Sequence, residues 1–506
     1  MDNKITKMKH IIIIGSGLGG LVCGYILTKN GFRVTVLEKH ARLGGCLQTF
    51  FRKGVKFETG MHYIGSIEEG QLLHHFFKYL SLLPDVNLRS LDKQAYDIIS
   101  IGNERFPFAN GTENFTEQLS QYFPNERKSL QNYWQAIHEA TESSPLHSLR
   151  TTEDPIILNP NHVKQSYDSF LEGITQNELL RLVLAGNLPL YAGELGKTPM
   201  YIPAFINDFY NRSTYRIVGG SETIAKSLVR SIRAMGGEVI SSAEVVKINC
   251  NDKQAVSVTL RNGNKLPADY FISNMHPARM VEMLNTNLIR KSYRERIANL
   301  SNTISNFTVY IHFQKNTVPY LNSNFYHYNT PADVWRGKHY VKETYPQSFL
   351  YMHLCSSAEQ QFANAAVLIS YMNFDDVAKW AGTKIGRRGE EYENFKQEKA
   401  EKLLDLLEKQ IPGTKQNIEH FYTSSPLTYL DYTGTEHGSM YGVQRDCNES
   451  IHSLVSQRTR IPNLFQTGQN VNSHGILGVI IGSILTSGEL IGVNTIVRQI
   501  KSGNGV

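Results

Sequence analysis

The chain has 506 residues and a formal net charge of +6, and 41% of its residues are apolar and 19% charged. This length predicts two or three domains, and the composition excludes a disordered chain. Basic residues are interspersed with acidic ones, which argues against nucleic-acid binding and leaves a weak attraction to anionic membrane surfaces. The five cysteines show no CxxC spacing. We therefore expect reduced thiols in a cytoplasmic protein, with no disulfide scaffold and no metal site.

The N-terminal segment reads as a strand, a glycine-rich loop and a helix. An apolar run at 10–14 leads into a GxGxxG motif, made of Gly15, Ser16, Gly17, Leu18, Gly19 and Gly20. In a dinucleotide-binding turn the first glycine permits a tight turn, the second admits a pyrophosphate, and the third lets the helix pack closely on the strand. The helix, predicted to end at Asn30-Gly31, then directs its free N–H groups at the phosphates.

A second strand at 33–37 ends in Glu38 and Lys39. The Glu38 carboxylate is placed to accept hydrogen bonds from ribose hydroxyls, and it would repel a 2′-phosphate. A second glycine turn follows at Gly44, Gly45 and Cys46. A lone GxGxxG motif is weak evidence, and a plain βαβ unit is the alternative. Strand, helix, acid and second turn together favour dinucleotide binding.

Two apolar stretches invite a membrane or targeting interpretation. Residues 4–14 resemble a signal peptide, but its cleavage would destroy the nucleotide loop. The stretch at 476–493 contains Glu489 and four glycines, which favours a buried helix over a spanning one. We therefore expect neither a signal peptide nor a transmembrane helix.

Further along the chain the predicted elements alternate in character. Residues 70–210 lose the βαβ pattern, with amphipathic helices predicted over 71–82 and 116–140. Sequence of α/β type returns with a helix at 223–234 and strands that can extend the first sheet, at 238–240, 245–249, 255–260 and 268–274. Beyond residue 300 the pattern predicts strands at 307–313 and 367–372 and one long helix at 390–410.

This alternation predicts two interleaved domains. The nucleotide-binding domain is expected to comprise residues 1–70, 215–300 and 438–506. The substrate domain is expected to comprise residues 71–214 and 301–437.

Several motifs taken together resemble the FAD-dependent phytoene desaturase and carotenoid isomerase superfamily. They are the glycine loop, the acid-ended second strand, the second glycine turn, and residues 461–478 near the C-terminus. The segment FETGMHYIG at 57–65 is most similar to the all-trans-retinol 13,14-reductase (retinol saturase) branch. The resemblance implies an α/β fold with a discontinuous Rossmann-type, amine-oxidase-like FAD-binding domain and an interleaved α+β substrate domain. It is weak across 70–210 and 300–435.

The resemblance also implies the cofactor and its contacts. A single GxGxxG motif fits one permanent cofactor, FAD, and leaves NAD(P)H as a transient electron donor. Besides the N-terminal motifs, the implied FAD contacts include Met61 and His62, with Val246 against the adenine through its backbone and Gly468 and Gln469 near the pyrophosphate and ribityl chain. The last helix, which begins with Gly478, Val479 and Ile480, is expected to face the N1–C2=O edge of the flavin.

His62, Tyr63 and His474 are the candidate catalytic residues. If the family geometry holds, His62 and Tyr63 face the flavin. Either one of them supplies a proton or orients the substrate, or both form a stacking wall. Cys46 takes the place of an arginine found in many relatives. It is either a redox thiol or, having no partner cysteine, a packing residue. Val246 has an alternative as well, that of a plain core valine.

The predicted activity is redox chemistry on the carbon–carbon double bonds of a long apolar polyene of the retinoid or carotenoid kind. The first hypothesis is saturation of one double bond, with hydride from reduced flavin N5 and a proton from the protein. The alternatives are a carotenoid desaturase or cis–trans isomerase on the same fold, a non-catalytic flavoprotein or lipid carrier, and an amine oxidase.

An uncharged polyene must be bound through a long apolar tunnel. The aromatic-rich stretches at 201–215 and 320–328 either line this tunnel or pack a core. Because such substrates reside in membranes, we expect peripheral contact at the inner face of a membrane. The oligomeric state stays open.

Overall fold

The computed structural model describes residues 8–154 and 159–503. Residues 4–7, part of the stretch compared with a signal peptide, lie outside the described residues. The described part contains twenty β-strands: β1 His10–Ile14, β2 Arg33–Leu37, β3 Thr49–Arg52, β4 Val55–Glu58, β5 Ile64–Gly65, β6 Leu88–Ser90, β7 Asp97–Ile101, β8 Glu104–Phe108, β9 Thr214–Ile217, β10 Glu238–Ile240, β11 Val245–Cys250, β12 Ala255–Leu260, β13 Lys265–Pro267, β14 Tyr270–Ser273, β15 Ser305–Phe313, β16 Asn324–Tyr328, β17 Ser348–His353, β18 Ala365–Met372, β19 Ile418–Ser424 and β20 Leu464–Gln466.

The same residues form fifteen α-helices. They are α1 Leu18–Lys29, α2 Leu72–Tyr79, α3 Thr112–Ser120, α4 Arg127–Ser143, α5 Pro160–Lys164, α6 Tyr167–Ile174, α7 Glu178–Leu184, α8 Tyr201–Arg212, α9 Glu222–Ala234, α10 Pro277–Glu282, α11 Lys291–Ala298, α12 Glu390–Gln410, α13 Pro426–Thr433, α14 Gly475–Ile491 and α15 Val493–Ser502.

A parallel five-stranded sheet, in the order β10-β2-β1-β14-β20, joins the N-terminal, middle and C-terminal parts of the chain. Ile11 and Ile13 of its central strand belong to a core shared with α1, α9 and α14. Ile12 and Ile14 face a second core, shared with β11, β12 and α10. A parallel sheet covered on both faces explains the unbroken apolar run at the start of the motif.

The segment at 238–274 extends this sheet only in part. The strands β10 and β14 join it, whereas β11, β12 and β13 form a separate antiparallel sheet. The reason is the tight turn at Asn262-Gly263, which joins β12 directly to β13 in a hairpin. A parallel neighbour would need a longer crossover.

A seven-stranded mixed sheet, in the order β19-β15-β18-β17-β16-β7-β8, forms the second layer of the molecule. One face packs on α4, α6, α7 and α8, and the opposite face packs on α12. The helix α12 has the predicted bounds. The strands β7 and β8 were not predicted, because they lie in a region whose sequence pattern is dominated by helices.

The predicted helix over 116–140 is wrong as a single element. The structure has α3 and α4 there, separated by a 3₁₀ turn at Pro124–Glu126. Pro124 has no N–H to donate and its ring clashes with the preceding turn of a helix, so the chain must start a new helix after it.

The apolar stretch at 476–493 is a buried helix, as predicted. Residues 476–487 of α14 are all buried, and the helix packs in the core beside α1. No single helix among residues 8–154 and 159–503 is long and apolar enough to cross a membrane. The pair α14 and α15 passes such a test only together, with a bend of 118° between them.

Replacing Ile484 of α14 with alanine should destabilise the protein by about 2–5 kcal/mol, because the change leaves a cavity in a packed core. Ile451→Ala is the matched control, because Ile451 is 81% exposed and its loss should cost about 0.5 kcal/mol or less. Denaturant unfolding of both variants measures the difference. Equal losses would contradict the burial of α14.

Candidate functional site

A cavity of about 750 Å³ lies between the two large sheets. The carboxyl ends of four parallel strands reach it through Ile14, Leu37, Asn274 and Gly468. Ligands of open α/β sheets bind at this edge, and the volume is within the range of small-molecule sites.

The first glycine turn forms one wall of the cavity. Gly15 has a φ of +100°, which side-chain-bearing residues rarely adopt. Gly17, Leu18 and Gly19 line the cavity where α1 begins. No side chain caps this helix and no acidic residue lies in its first turn, so its N–H groups remain available to an anion.

Gly20 has a packing role in this turn. A Cβ atom on Gly20 would lie 2.0 Å from the Gly15 carbonyl oxygen. Gly20 therefore lets α1 pack tightly against β1, as predicted, and it does not line the cavity.

Glu38 lines the cavity beside this turn, together with Lys39. The backbone N–H and the hydroxyl of Ser16 donate to Glu38 Oε2 at 2.9 and 2.8 Å, and His40 N–H donates to Oε1 at 3.0 Å. These bonds fix the carboxylate in position and leave lone pairs for further donors.

Ser16 was predicted to touch the cofactor, and the structure places it outside the cavity lining, so this contact stays a prediction. Ser16 is fully buried and does not line the cavity. Its hydroxyl accepts a hydrogen bond from Gly44 N–H at 3.1 Å while donating to Glu38. It therefore ties the acid to the second glycine turn.

The second glycine turn lies directly against the first. Gly44, Gly45 and Cys46 line the cavity, and a Cβ atom on Gly45 would lie 2.9 Å from Gly17 Cα. The Cys46 side chain is open to the cavity, while desolvation by the surrounding protein raises the pKa of its thiol. All five cysteines are free, so Cys46 has no disulfide partner.

The C-terminal motif closes the cavity from the other side. Gly468, Gln469, His474 and Val479 line it. Gly478 and Ile480 were predicted to face the flavin, and the structure places neither of them in the lining. A Cβ on Gly478 would lie 2.6 Å from Ser473 Cβ, so this glycine serves loop packing, and Ile480 points into the core.

Arg445 holds the loop before α14, and sequence reasoning missed it. Its buried guanidinium donates to the carbonyl oxygens of Asn470, Val471 and Asn472 at 2.9–3.2 Å. No motif signals such a role, because the contact spans about 26 residues of irregular chain.

Val246 was predicted to lie against the adenine through its backbone. In the structure its neighbour Val245 lines the cavity, and the backbone contact of Val246 stays a prediction. The Val246 side chain is 38% exposed. The pairing of β11 with β12 shifts register between Val245 and Lys247, so the regular alternation of faces is interrupted at Val246. The exposure of the Val246 side chain excludes the alternative of a core valine.

The three candidate catalytic residues all line the cavity, with Met61 beside them. His62 Nδ1 lies 3.4 Å from Glu58 Oε2. The hydroxyl groups of Tyr63 and Tyr326 are 2.7 Å apart.

His474 stacks on Tyr441 with ring centroids 4.3 Å apart. Burial, assisted by the charge of Arg445, lowers the pKa of His474 to about 4. The imidazole is therefore neutral at pH 7, and it fits a cavity wall better than a proton donor.

The aromatic-rich stretches mainly pack a core. Within 201–215 only Tyr210 lines the cavity, and no residue of 320–328 does. Tyr326 and Tyr328 are fully buried under the helices of the second layer.

The lining residues fit a dinucleotide such as FAD. Two helix N-termini, those of α1 and α14, meet the same cavity without capping side chains or first-turn acids. Glycine backbone lies beside them, and the oriented Glu38 suits a ribose. No group of three or more metal-ligating side chains occurs among residues 8–154 and 159–503.

Gly17→Val should abolish FAD retention, because its side chain would fill the space beside the α1 N-terminus and press on Asn274 Nδ2, 2.9 Å from the Cβ position. Flavin absorbance of the purified variant measures this. Gly173→Val is the matched control, since a Cβ there meets no atom within 4 Å. A folded Gly17→Val protein that retains FAD would contradict the assignment.

Glu38→Gln should weaken FAD binding about 10-fold or more, since a hydrogen bond to a charged group contributes about 1.5–3 kcal/mol. The amide also places an NH₂ group against donors that need an acceptor. Titration of apoprotein with FAD measures the affinity. Glu282 is an exposed acid outside the lining, so the control variant Glu282→Gln should leave the affinity for FAD unchanged. An equal loss of affinity in this control would contradict the ribose contact of Glu38.

Comparison with known proteins agrees with this geometry. The model of the flavin-containing amine oxidoreductase family matches residues 18–489. The chain is 25% identical over 535 residues to all-trans-retinol 13,14-reductase of Homo sapiens, covering 97% of this chain and 86% of that protein. It is 25% identical over 328 residues to a 4,4′-diapophytoene desaturase of Methylomonas sp, covering 62% of each.

Among solved structures, a variant of putrescine oxidase superposes with a TM-score of 0.65 at 15% identity, covering 96% of this chain and 99% of that one. This likeness shows the fold. It confirms the predicted α/β class with its discontinuous, amine-oxidase-like FAD-binding domain, and the relatives confirm the resemblance read from the motifs. The domain boundaries stay a prediction. The chain belongs to the family of flavin-containing amine oxidoreductases.

Proposed function

We propose that this flavin-dependent oxidoreductase saturates one carbon–carbon double bond of a long apolar polyene of the retinoid or carotenoid kind. One observation carries the proposal. The wall that the seven-stranded sheet contributes to the cavity has no charged side chain: it consists of Asn306, Ser348, Phe349, Leu350, Met352, Ile369, Ser370 and Tyr371. Such a wall binds an uncharged chain by apolar burial, at about 25 cal/mol per Å².

The residues near this wall support a reduction. When bound, FAD supplies the hydride equivalent for an alkene. Met61, His62 and Tyr63 line the same cavity as the second glycine turn and this uncharged wall. His62 Nδ1 lies near the Glu58 carboxylate. Burial raises the pKa of the Tyr63 phenol well above its usual range, so the phenol carries its proton at neutral pH.

An amine substrate fits this cavity less well. A carboxylate is one partner for a cationic amine, and the three acids in the lining already have protein partners. Glu38 accepts hydrogen bonds from Ser16, Glu244 is paired with Arg261, and Asp431 is paired with Arg388. The relatedness to a retinol reductase and a carotenoid desaturase also favours an alkene.

Peripheral contact with a membrane is part of the proposal, because a polyene has to be taken from lipid. Two loops offer exposed apolar side chains for such contact. Leu195 is 55% exposed and Ile451 is 81% exposed. The loops are adjacent, since Asn448 Nδ2 donates to the Gly196 carbonyl oxygen at 2.8 Å.

The decisive experiment supplies the purified FAD-loaded protein with a panel of retinoids and carotenoids in vesicles, without oxygen. Dithionite or NAD(P)H serves as the reductant. We expect a product heavier by two hydrogen atoms, and re-oxidation of the flavin when the polyene is added. Mass spectrometry and flavin absorbance measure the two changes, and Gly17→Val without FAD is the control.

The other outcomes separate the alternatives. A product of unchanged mass and altered retention would identify an isomerase. A product lighter by two hydrogen atoms, formed with oxidised flavin, would identify a desaturase. A flavin whose redox state does not respond to any polyene would overturn the proposal in favour of a carrier.

A further inference from the structure

A buried carboxyl group lies behind the cavity wall, and no sequence motif pointed to it. Asp97, the first residue of β7, is fully buried. It is in parallel register with Asn324 of β16, which is itself opposite Met352 of β17. Paired residues on neighbouring strands point to the same face. Since Met352 lines the cavity, Asp97 lies on the sheet face directed toward it.

One residue separates this carboxyl group from the cavity. Tyr63 lines the cavity, and its hydroxyl oxygen lies 3.4 Å from Asp97 Oδ2 and 2.7 Å from the Tyr326 hydroxyl. The Tyr63 ring stacks on Tyr210, another lining residue, with centroids 4.4 Å apart. The phenol therefore connects the buried acid to the space in which a substrate lies.

The hydrogen bonds indicate which oxygen carries the acidic proton. Asn324 Nδ2 donates to Asp97 Oδ1 at 2.7 Å. The Tyr63 O–H donates to Oδ2 of the ionised carboxylate. When Asp97 is protonated, the proton belongs on Oδ2 and is donated to the phenol oxygen, which releases the phenol O–H for another acceptor. Arg216 NH2 donates to Asn324 Oδ1 at 2.9 Å, so a buried cation reaches the carboxyl group through one amide.

The groups around Asp97 favour its neutral form at moderate pH. Burial raises its pKa to about 7, against the hydrogen bonds of Asn324 and Tyr63 and the charge of Arg216. The remaining titratable neighbours are the phenols of Tyr63, Tyr96, Tyr210 and Tyr326. Burial raises the pKa of each of them, so these phenols are uncharged.

We propose that Asp97 and Tyr63 form a proton relay that supplies the proton of the alkene reduction, an inference that rests on the proposed function. The Tyr63 O–H bond breaks, and its proton forms a C–H bond with the electron pair of one alkene carbon. The Asp97 Oδ2–H proton passes to the phenolate oxygen, which leaves a carboxylate near Arg216. Reduced FAD, the two-electron reductant, would supply the hydride that forms the second C–H bond, on the neighbouring alkene carbon. Solvent that enters the cavity between turnovers re-protonates the carboxylate through Tyr63.

In this relay Tyr63 is the catalytic residue, and Asp97 acts through it. The Tyr326 hydroxyl holds the phenol in place, and Asn324 orients the acid. Arg216 stabilises the charge that appears on Asp97 after proton transfer, without contacting the carboxylate directly.

The kinetic test measures re-oxidation of dithionite-reduced enzyme by a retinoid in a single turnover across pH. The wild-type rate should fall above about pH 7, where Asp97 loses its proton. Tyr63→Phe should slow the step about 100-fold or more, the usual contribution of a general acid. Asp97→Asn should be slow and should lose the alkaline fall. Asp208 is a buried aspartate of α8 that is paired with Arg212 and lies outside the lining. The control variant Asp208→Asn should therefore keep the fall in rate at alkaline pH.

A second measurement needs no turnover. The folded state holds the Asp97 proton up to about pH 7, whereas an ordinary aspartate releases it near 3.8. Folding therefore binds a proton between these values, and wild-type stability should fall relative to Asp97→Asn as pH rises from 4 to 7. Asp208 has a lowered pKa because His138 and Arg212 bond its carboxylate against the effect of burial. Both its folded and its unfolded pKa therefore lie below this window, so Asp208→Asn should keep the wild-type slope between pH 4 and 7.

The outcomes distinguish the two proposals. If wild-type protein reduces the retinoid and Asp97→Asn keeps the alkaline fall, the relay is overturned and the proposed function stands. If no polyene is reduced, the proposed function fails and the relay fails with it, while the unfolding slopes still report the protonation of Asp97. Should Asp97→Asn not fold, Tyr63→Phe decides, because an unchanged rate in that variant overturns the relay.

Discussion

The close approach of backbone segments at the carboxyl edge of the five-stranded sheet is the constraint on which the rest of the structure depends. A Cβ on Gly45 would lie 2.9 Å from Gly17 Cα, and a Cβ on Gly19 would lie 2.9 Å from Gly468 Cα. Because these residues have no side chains, the two N-terminal turns and the C-terminal loop can share one edge. That edge then presents two uncapped helix N-termini to one cavity, which makes a single dinucleotide site from both ends of the chain.

The seven-stranded sheet supplies a second wall of the cavity. Its strands bring an uncharged wall to the cavity that the glycine turns border. The face that forms this wall also carries Asp97 and Asn324 beneath Tyr63. Polar groups buried this deeply are stable only when they are hydrogen-bonded, and the bonds among them link the acid to the cavity.

Local signals were read correctly where the physical cause is local. The turn from β1 into α1 and the bounds of α12 follow from glycine conformations and apolar periodicity within short windows. Sequence patterns did not determine the positions of side chains that depend on distant partners. The pattern does not show that the Val245 side chain lines the cavity and that the Val246 side chain faces solvent. Ser16 lies in the phosphate-binding motif, yet its hydroxyl forms hydrogen bonds with Glu38 and with the backbone N–H of Gly44.

The sequence by itself determined the flavin family, the nucleotide motif and the acid at the end of its second strand, because each depends on short stretches of neighbouring residues. Only the tertiary structure decided which side chains line the cavity, that its second wall is uncharged, and that Asp97 lies behind Tyr63. These features join residues up to several hundred positions apart. Their chemistry comes from burial and hydrogen bonding that exist only after the two sheets have packed together.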